Sequence, residues 1–317
     1  MRAAQLLPGL FVLAVTTPAL AQNSECSAYV SNARRVCDAA VDGTRAFHPV
    51  AGILVSGGNP TIGSAGTLGL GHASLTLRAN GVNIVLPDVG YTGSSSTVPA
   101  GDKLFAPAPL VEGSLGLYGG MPSGLLAVDL LGSAQLLPAN QIDNFSVDAD
   151  ARRIGDIALG LGYGARIGLL KEMGPLPAIS VSIMRRDIPE LTYGDINAGD
   201  GFSYAVDLNA TNLRLIASKK LMVLDLAAGI GWDKYTGDAL IRFRDPITLV
   251  AQPDIPLELN NSRALGFINA GLSLSAVRLT GELGYQAGKD QNLSSDFEDF
   301  DTTKGKLFAG LGLRVGF

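Results

Sequence analysis

Apolar and polar residues alternate with period two over much of the chain, which sends neighbouring side chains to opposite faces of a strand. Near the C-terminus, Leu307, Ala309, Leu311, Leu313, Val315 and Phe317 alternate with Lys306, Phe308, Gly310, Gly312, Arg314 and Gly316. The same pattern sets Val277, Leu279, Leu283 and Tyr285 against Arg278, Thr280, Glu282 and Gln286, and Leu224, Leu226, Ile230 and Trp232 against Asp225, Gly229, Gly231 and Asp233. In 157–169, Leu159, Leu161, Tyr163 and Ile167 oppose Gly160, Gly162, Gly164 and Arg166. Several runs last 11 to 14 residues. Globular strands centre on ~5–6, whereas a tilted membrane strand needs ~9–11. The spacing predicts twelve strands, near 47–57, 66–78, 82–91, 105–119, 124–136, 154–170, 177–187, 200–217, 220–235, 262–274, 277–288 and 303–317.

Short and long connections alternate between these strands, as in membrane barrels. Asn80-Gly81 is a hairpin pair between the second and third strands, and Ser218-Lys219 and Ser275-Ala276 are further tight turns. Two places are weak. Strand 47–57 is the least regular, and Tyr204 to Leu215 changes face near Ala210 to Asn212, which predicts a bulge or an emerging loop. The fold class is therefore all-β, a transmembrane antiparallel up-and-down barrel of about 12 strands (range 10–14), with a short N-terminal non-barrel segment. An even strand count returns both ends to one side, expected to be the periplasm.

Composition agrees. Of 317 residues 40 are glycine and only 17 % are charged, and the mean hydropathy is +0.26. Interior glycine costs a helix roughly 1 kcal/mol each, which argues against a helical bundle. The longest charge-free stretch, 46–77, carries Pro49, Pro60 and seven glycines, so no helix is expected there. A net charge of −5 argues against a nucleic-acid partner, which needs a basic stripe. Residues 1–21 read as a secretory leader: Arg2, an apolar stretch from Leu6 to Val15, and a small-residue ending at Ala21. Residues 22–46 then form a periplasmic or plug segment ahead of a barrel over 47–317. The two cysteines, Cys26 and Cys37, both lie in that segment, and export favours their pairing. A continuous helix would hold them roughly 16 Å apart, so the segment must fold back for the bond to form. If the segment folds into the lumen as a plug, Arg34 and Arg35 are expected to meet inward carboxylates such as Asp129 or Asp225.

The predicted lumen carries charge of both signs. Inward positions include Arg78, Arg166, Arg186, Arg278, Lys304, Lys306 and Arg314, against Glu112, Asp129, Asp156, Asp207, Asp225, Asp233 and Glu282, seven of each. Buried charges must pair or be hydrated, so the balance fits either a cross-linked interior or a wet pore. Small lumenal glycines favour a narrow passage. His72 also faces inward, two positions before Ser74, and is read as polar lining rather than as a catalytic pair. His48 is the only other histidine. Gly160 to Ala165 matches a loose dinucleotide fingerprint but lies inside a strand. The acidic segment 289–302, with Asp290, Asp296, Glu298, Asp299 and Asp301, is read as a solvated loop in preference to a Ca²⁺ site bridging to lipopolysaccharide. No cofactor or resident metal is expected.

The last seven residues, Leu311-Gly-Leu-Arg-Val-Gly-Phe317, resemble the terminal assembly signal of bacterial outer-membrane β-barrel proteins. The resemblance implies recognition of Leu311, Leu313, Val315 and Phe317 by the barrel-assembly machinery, and a setting of outer-membrane lipid and lipopolysaccharide. A weaker similarity is to long-chain fatty-acid transporter barrels, which also place a non-barrel segment before the first strand; no hatch motif matches. The expected function is a narrow passage for small solutes, either porin-like or a transporter of hydrophobic substrates. The alternatives are a non-conducting structural or adhesive barrel and, least favoured, an outer-membrane lipid hydrolase; otherwise no enzyme is expected.

Overall fold

The computed structural model describes residues 23–138 and 145–317; the leader lies outside them. Among the described residues, ten long strands pair in sequence order and close into one antiparallel barrel. They are β1 (Ala73–Pro87), β2 (Ala100–Tyr118), β3 (Val128–Pro138), β4 (Ile157–Leu170), β5 (Ala178–Tyr193), β6 (Phe202–Leu221), β7 (Leu224–Phe243), β8 (Ile255–Leu274), β9 (Val277–Gln286) and β10 (Lys306–Gly316). The closing seam runs from Ser74↔Gly316 to Val82↔Phe308. Two short strands, Phe145–Val147 and Arg153–Ile154, bond to this sheet outside the closed ring. A further pair, Thr97–Val98 with Asp296–Phe297, joins two long loops.

Two corrections bring twelve predicted strands to ten. The expected strand 47–57 is the second half of a helix, α1 (Ser31–Ser56), despite Pro49 inside it. Proline removes one N–H from the helical ladder and glycine weakens it, but α1 lies inside the barrel and every residue from Ala46 to Ile53 is buried. Packing on all sides offsets the poor propensity, and Gly52 is required because the Tyr235 ring presses on it. The expected strands 66–78 and 82–91 merge into β1. Asn80-Gly81 makes no turn, and neither residue takes positive φ. Asn80 points inward, donating to the Leu54 carbonyl at 3.1 Å, and Gly81 leaves room on the outer face for the Phe105 ring.

The outside of the barrel is apolar in a band. On β8 the outward residues Ala264, Gly266, Ile268, Ala270, Leu272 and Leu274 carry no charge, and Ile268 is 61 % exposed. Ten residue steps at ~3.3 Å, tilted by ~40°, span roughly 25 Å, the height of a membrane barrel's lipid belt. Ile230, Leu161, Leu311, Leu313 and Phe317 face outward in the same band, as their parity predicts. Beyond it the strands continue, and outward positions turn polar, with Glu258, Asn260, Thr236 and Asp238. Short joints, such as Met222-Val223 and Ser275-Ala276, mark one mouth; long loops such as 244–254 and 287–305 mark the other.

The interior has two tiers. Around α1, on the long-loop side, it is a hydrophobic core: Tyr204, Val206 and Leu208 of β6, Ile241 and Phe243 of β7, and Leu257 and Leu259 of β8 pack with Val41, Phe47 and Ile53. Each such side chain contributes ~1.5–3 kcal/mol by leaving water. On the short-turn side the wall is polar. This explains the face change expected at Ala210 to Asn212. The even residues of β6 stay inward from Tyr204 to Arg214 with no bulge there; the lumen changes character, not the strand.

The chain enters at the long-loop mouth. Cys26, in the turn Ser24–Cys26, folds back onto Cys37 in α1, with Cα atoms 5.7 Å apart in a disulfide. Tyr29 packs edge-on against Phe243, and Arg35 donates to the Gly93 carbonyl. Arg34 pairs with Asp38 one turn on, so these arginines stay at the loops and do not reach Asp129 or Asp225. The chain then descends through the barrel and starts β1 beside Phe317, at the short-turn mouth. The two described ends therefore sit at opposite mouths, not on one side as an even strand count implied.

Candidate functional site

The residues that matter are those between α1 and the wall. After Ser56 the chain runs through the polar tier as an irregular segment, 57–68, whose backbone has no strand or helix to satisfy it. Buried N–H and C=O groups need partners, and inward side chains supply them. Glu282 of β9 accepts from the N–H groups of Gly58 and Asn59, at 2.9 and 2.8 Å. Arg214 of β6 donates to the carbonyls of Gly57 and Gly58, at 2.9 and 2.7 Å, and Arg78 of β1 to that of Asn59. Deeper down, Asn269 of β8 accepts from Gly63, Ser218 from Ala65 and Asp129 of β3 from Leu68.

The side chains also bind one another. Arg78 pairs with Glu282 and lies 3.5 Å from Glu112, and Arg186 of β5 is 3.2 Å from Glu112. Asp233 of β7 accepts from Arg214 at 2.5 and 3.1 Å, from Asn212 at 2.7 Å and from the Tyr235 hydroxyl at 2.6 Å. Arg166 of β4 holds Asp129 at 2.6 Å and the Thr61 hydroxyl. All these charged groups are buried. In such surroundings each pair is stable only while complete. Chemically the network is a latch, matching carboxylates and guanidinia to an irregular backbone. It fills the centre of the barrel.

Of the residues predicted to line the lumen, Arg78, Glu112, Asp129, Arg166, Arg186, Asp225, Asp233, Arg278, Glu282 and Arg314 do so. Lys306 sits at the loop mouth over the Phe300 ring. Four fall elsewhere. His72 is exposed ahead of β1, Asp156 lies in an external turn, Asp207 is on the outer face of β6, and Lys304 lies in a loop, 80 % exposed. The first, second and fourth lie beyond the strand ends, where parity carries no meaning. Asp207 was assigned inward because a face change was expected on its strand. Asn212 and Arg214 were not singled out, although the outward Leu213 and Leu215 mark them as inward by parity. Asn59, outside any expected strand, gave no signal in the sequence, whereas Asn269, between the outward Ile268 and Ala270, was marked as inward by parity.

His72 and Ser74 do not form a pair: Ser74 Oγ lies 2.6 Å from Ser114 Oγ and accepts from Arg314. The lumenal glycines leave no open room. A Cβ on Gly162 would meet Arg186 and Ser133, and one on Gly229 the Phe267 ring. The acidic loop is engaged piecemeal. Glu298 accepts from the Ala100 N–H and Asp290 from that of Asn292. A hydrogen bond from the Lys103 ammonium holds the Asp299 carboxyl below its ordinary range, and the Thr303 hydroxyl and N–H do so for Asp301. Open space is found at the two mouths. A cavity of about 310 Å³ on the short-turn side is lined by Lys171, Glu172, Lys219, Lys220, Asp225 and Arg278. One of about 290 Å³ on the loop side is lined by Arg45, His48, Glu258, Asn261, Lys289 and Gln291.

No protein-family model matches this chain, and no curated protein matches it. Among solved structures it is similar to the outer-membrane protease OmpT of Escherichia coli, with 12 % identity, 78 % of this chain and 96 % of that one covered, and a TM-score of 0.39. It is similar also to the translocator domain of the autotransporter NalP of Neisseria meningitidis (10 % identity, 78 % and 89 % covered, TM-score 0.40). The N-terminal β-barrel domain of Pseudomonas aeruginosa OprF gives 11 % identity, 78 % and 99 % covered, and a TM-score of 0.30. On its own geometry the chain is a closed antiparallel barrel, apolar outside and polar or plugged within.

Proposed function

We propose that this protein is a bacterial outer-membrane barrel closed by its own N-terminal segment, a non-conducting structural barrel that presents its long loops at the cell surface. The observation that carries the reading is the hydrogen-bonding of 57–68 to the wall across the full polar tier, below a helix that fills the apolar tier. Short turns face the periplasm and long loops the outside in such barrels. This puts Phe317 in the periplasm and Asn23 at the outer mouth. Outer-membrane lipid and lipopolysaccharide then surround the apolar band, and the outward Leu311, Leu313, Val315 and Phe317 are the surface offered to the assembly machinery.

A passage for small solutes is the second reading, favoured by the cavities at the two mouths. It requires the latch to open. Planar-bilayer recording of the intact protein separates the two, with insertion verified by a heat-modifiable, protease-protected band from the same membranes. The expected result is no unitary current steps. Regular steps of one amplitude would replace the closed barrel with the passage.

A further inference from the structure

The lumen's charges do not balance as the sequence suggested. Arg78, Arg166, Arg186, Arg214 and Arg278 each have a carboxylate within 4.0 Å. Neither Arg314 of β10, which donates to the Ser74 hydroxyl at 3.1 Å, nor Arg263 of β8 does. Arg263 is 4 % exposed, makes no ion pair among the described residues, and its Nη1 has no hydrogen-bond partner. The acid opposite it in register, Asp233, is already taken by Arg214, Asn212 and Tyr235. A buried guanidinium without a counter-ion is costly, so it calls for an anion.

The surroundings supply further donors. Arg263 lines a narrow cleft with Gln286, Gln291, Lys304 and Lys306, closed on one side by Ala46, Pro49 and Val50 of α1. Gln291 spends its Oε1 on Asn261 and leaves its buried Nε2 without a partner. The carboxylate on the cleft, Asp301, accepts from Thr303 and lies 3.5 Å from Lys304. Through Gln291 the cleft adjoins the 290 Å³ cavity at the loop mouth, where the buried His48 Nε2 and Asn261 Oδ1 are also unpartnered.

We propose that this cleft is a binding site for a compact oxyanion of the phosphate type, held by Arg263 and Gln291 with Lys306 at its entrance. Guanidinium and amide N–H groups match the oxygens of such an anion, and a planar fork suits it better than a point charge. The anion supplies the charge that the wall lacks and pins β8 to the loop 287–305 and to α1. The site does not depend on whether the barrel conducts.

Thermal unfolding of the full chain in detergent, titrated with inorganic phosphate against sodium chloride of equal ionic strength, tests it. Phosphate is expected to raise Tm saturably, and chloride to leave it nearly unchanged. In Arg263→Met the phosphate shift disappears, while Tm without phosphate stays at or above that of the parent, because an unpaired buried charge has been removed. Lys306→Met, at the entrance, weakens the phosphate response several-fold and keeps its saturation. If phosphate and chloride act alike on the parent, or if Arg263→Met lowers Tm and still responds to phosphate, Arg263 is a structural side chain and the site does not exist.

Discussion

Replacing Asp233 with Ala is expected to destabilise the barrel by ~3–5 kcal/mol, the loss that follows when one member of a buried ion pair is removed. Asp233 is fully buried and satisfies Arg214, Asn212 and Tyr235 together. Without it the Arg214 guanidinium stays in the lumen with only the carbonyls of Gly57, Gly58 and Leu213 as acceptors. The companion is the double variant Arg214→Met, Asp233→Leu, which removes the charge pair and fills its space. It should cost clearly less than Asp233→Ala alone, since apolar replacement of a whole buried pair is often close to neutral. Urea unfolding of both variants in the same detergent, followed by the loss of heat-modifiable migration, measures the difference. Equal losses would mean that Asp233 acts through packing and not as a counter-ion.

The second large effect is expected on the outer face. Ile268 sits midway along the uncharged band of β8, between Ala228 and Leu283 of the neighbouring strands. Arginine there should cost ~2–4 kcal/mol, as for a charge at the bilayer midplane. Ser262→Arg, outward on the same strand but beside Lys234, should cost about 0–1 kcal/mol. Folding into lipid vesicles reads both. Equal damage at the two positions would place the lipid belt elsewhere on the wall.

The belt was legible in the sequence because parity is a rigid property of strands, and a lipid-facing row admits no exceptions. Leu279, Leu283, Leu311 and Leu313 were assigned outward from alternation alone, and the structure puts them there. The interior was half legible. Alternation marks inward positions, but what an inward residue should be depends on what fills the barrel. Tyr204, Val206 and Leu208 look like the wrong face of a porin strand and are the right face of a barrel holding a helix. No helix was legible from residue 46 on, since Pro49 and Gly52 argue against it and only enclosure by the wall offsets them. The turn at Met222-Val223 was misplaced by four residues for a local reason. Met222 takes a positive φ of 56° without being Gly or Asn, so no turn residue marks the spot. Asn80-Gly81 is the converse, a turn pair spent on lumen chemistry and on room for an aromatic ring.

The central claim is that α1 and the segment after it lie inside the barrel, latched to its wall. Ser56 at the end of α1 and Asn212 on β6 are in side-chain contact at 3.1 Å, with Leu213 next along the strand facing outward. With Cys26 and Cys37 changed to Ser, the pair Ser56→Cys, Asn212→Cys should be joined by a short thiol–thiol cross-linker in isolated outer membranes. The pair Ser56→Cys, Leu213→Cys should not. Cross-linking of the second pair, or of neither in a barrel that keeps its heat-modifiable migration, would contradict a plugged lumen.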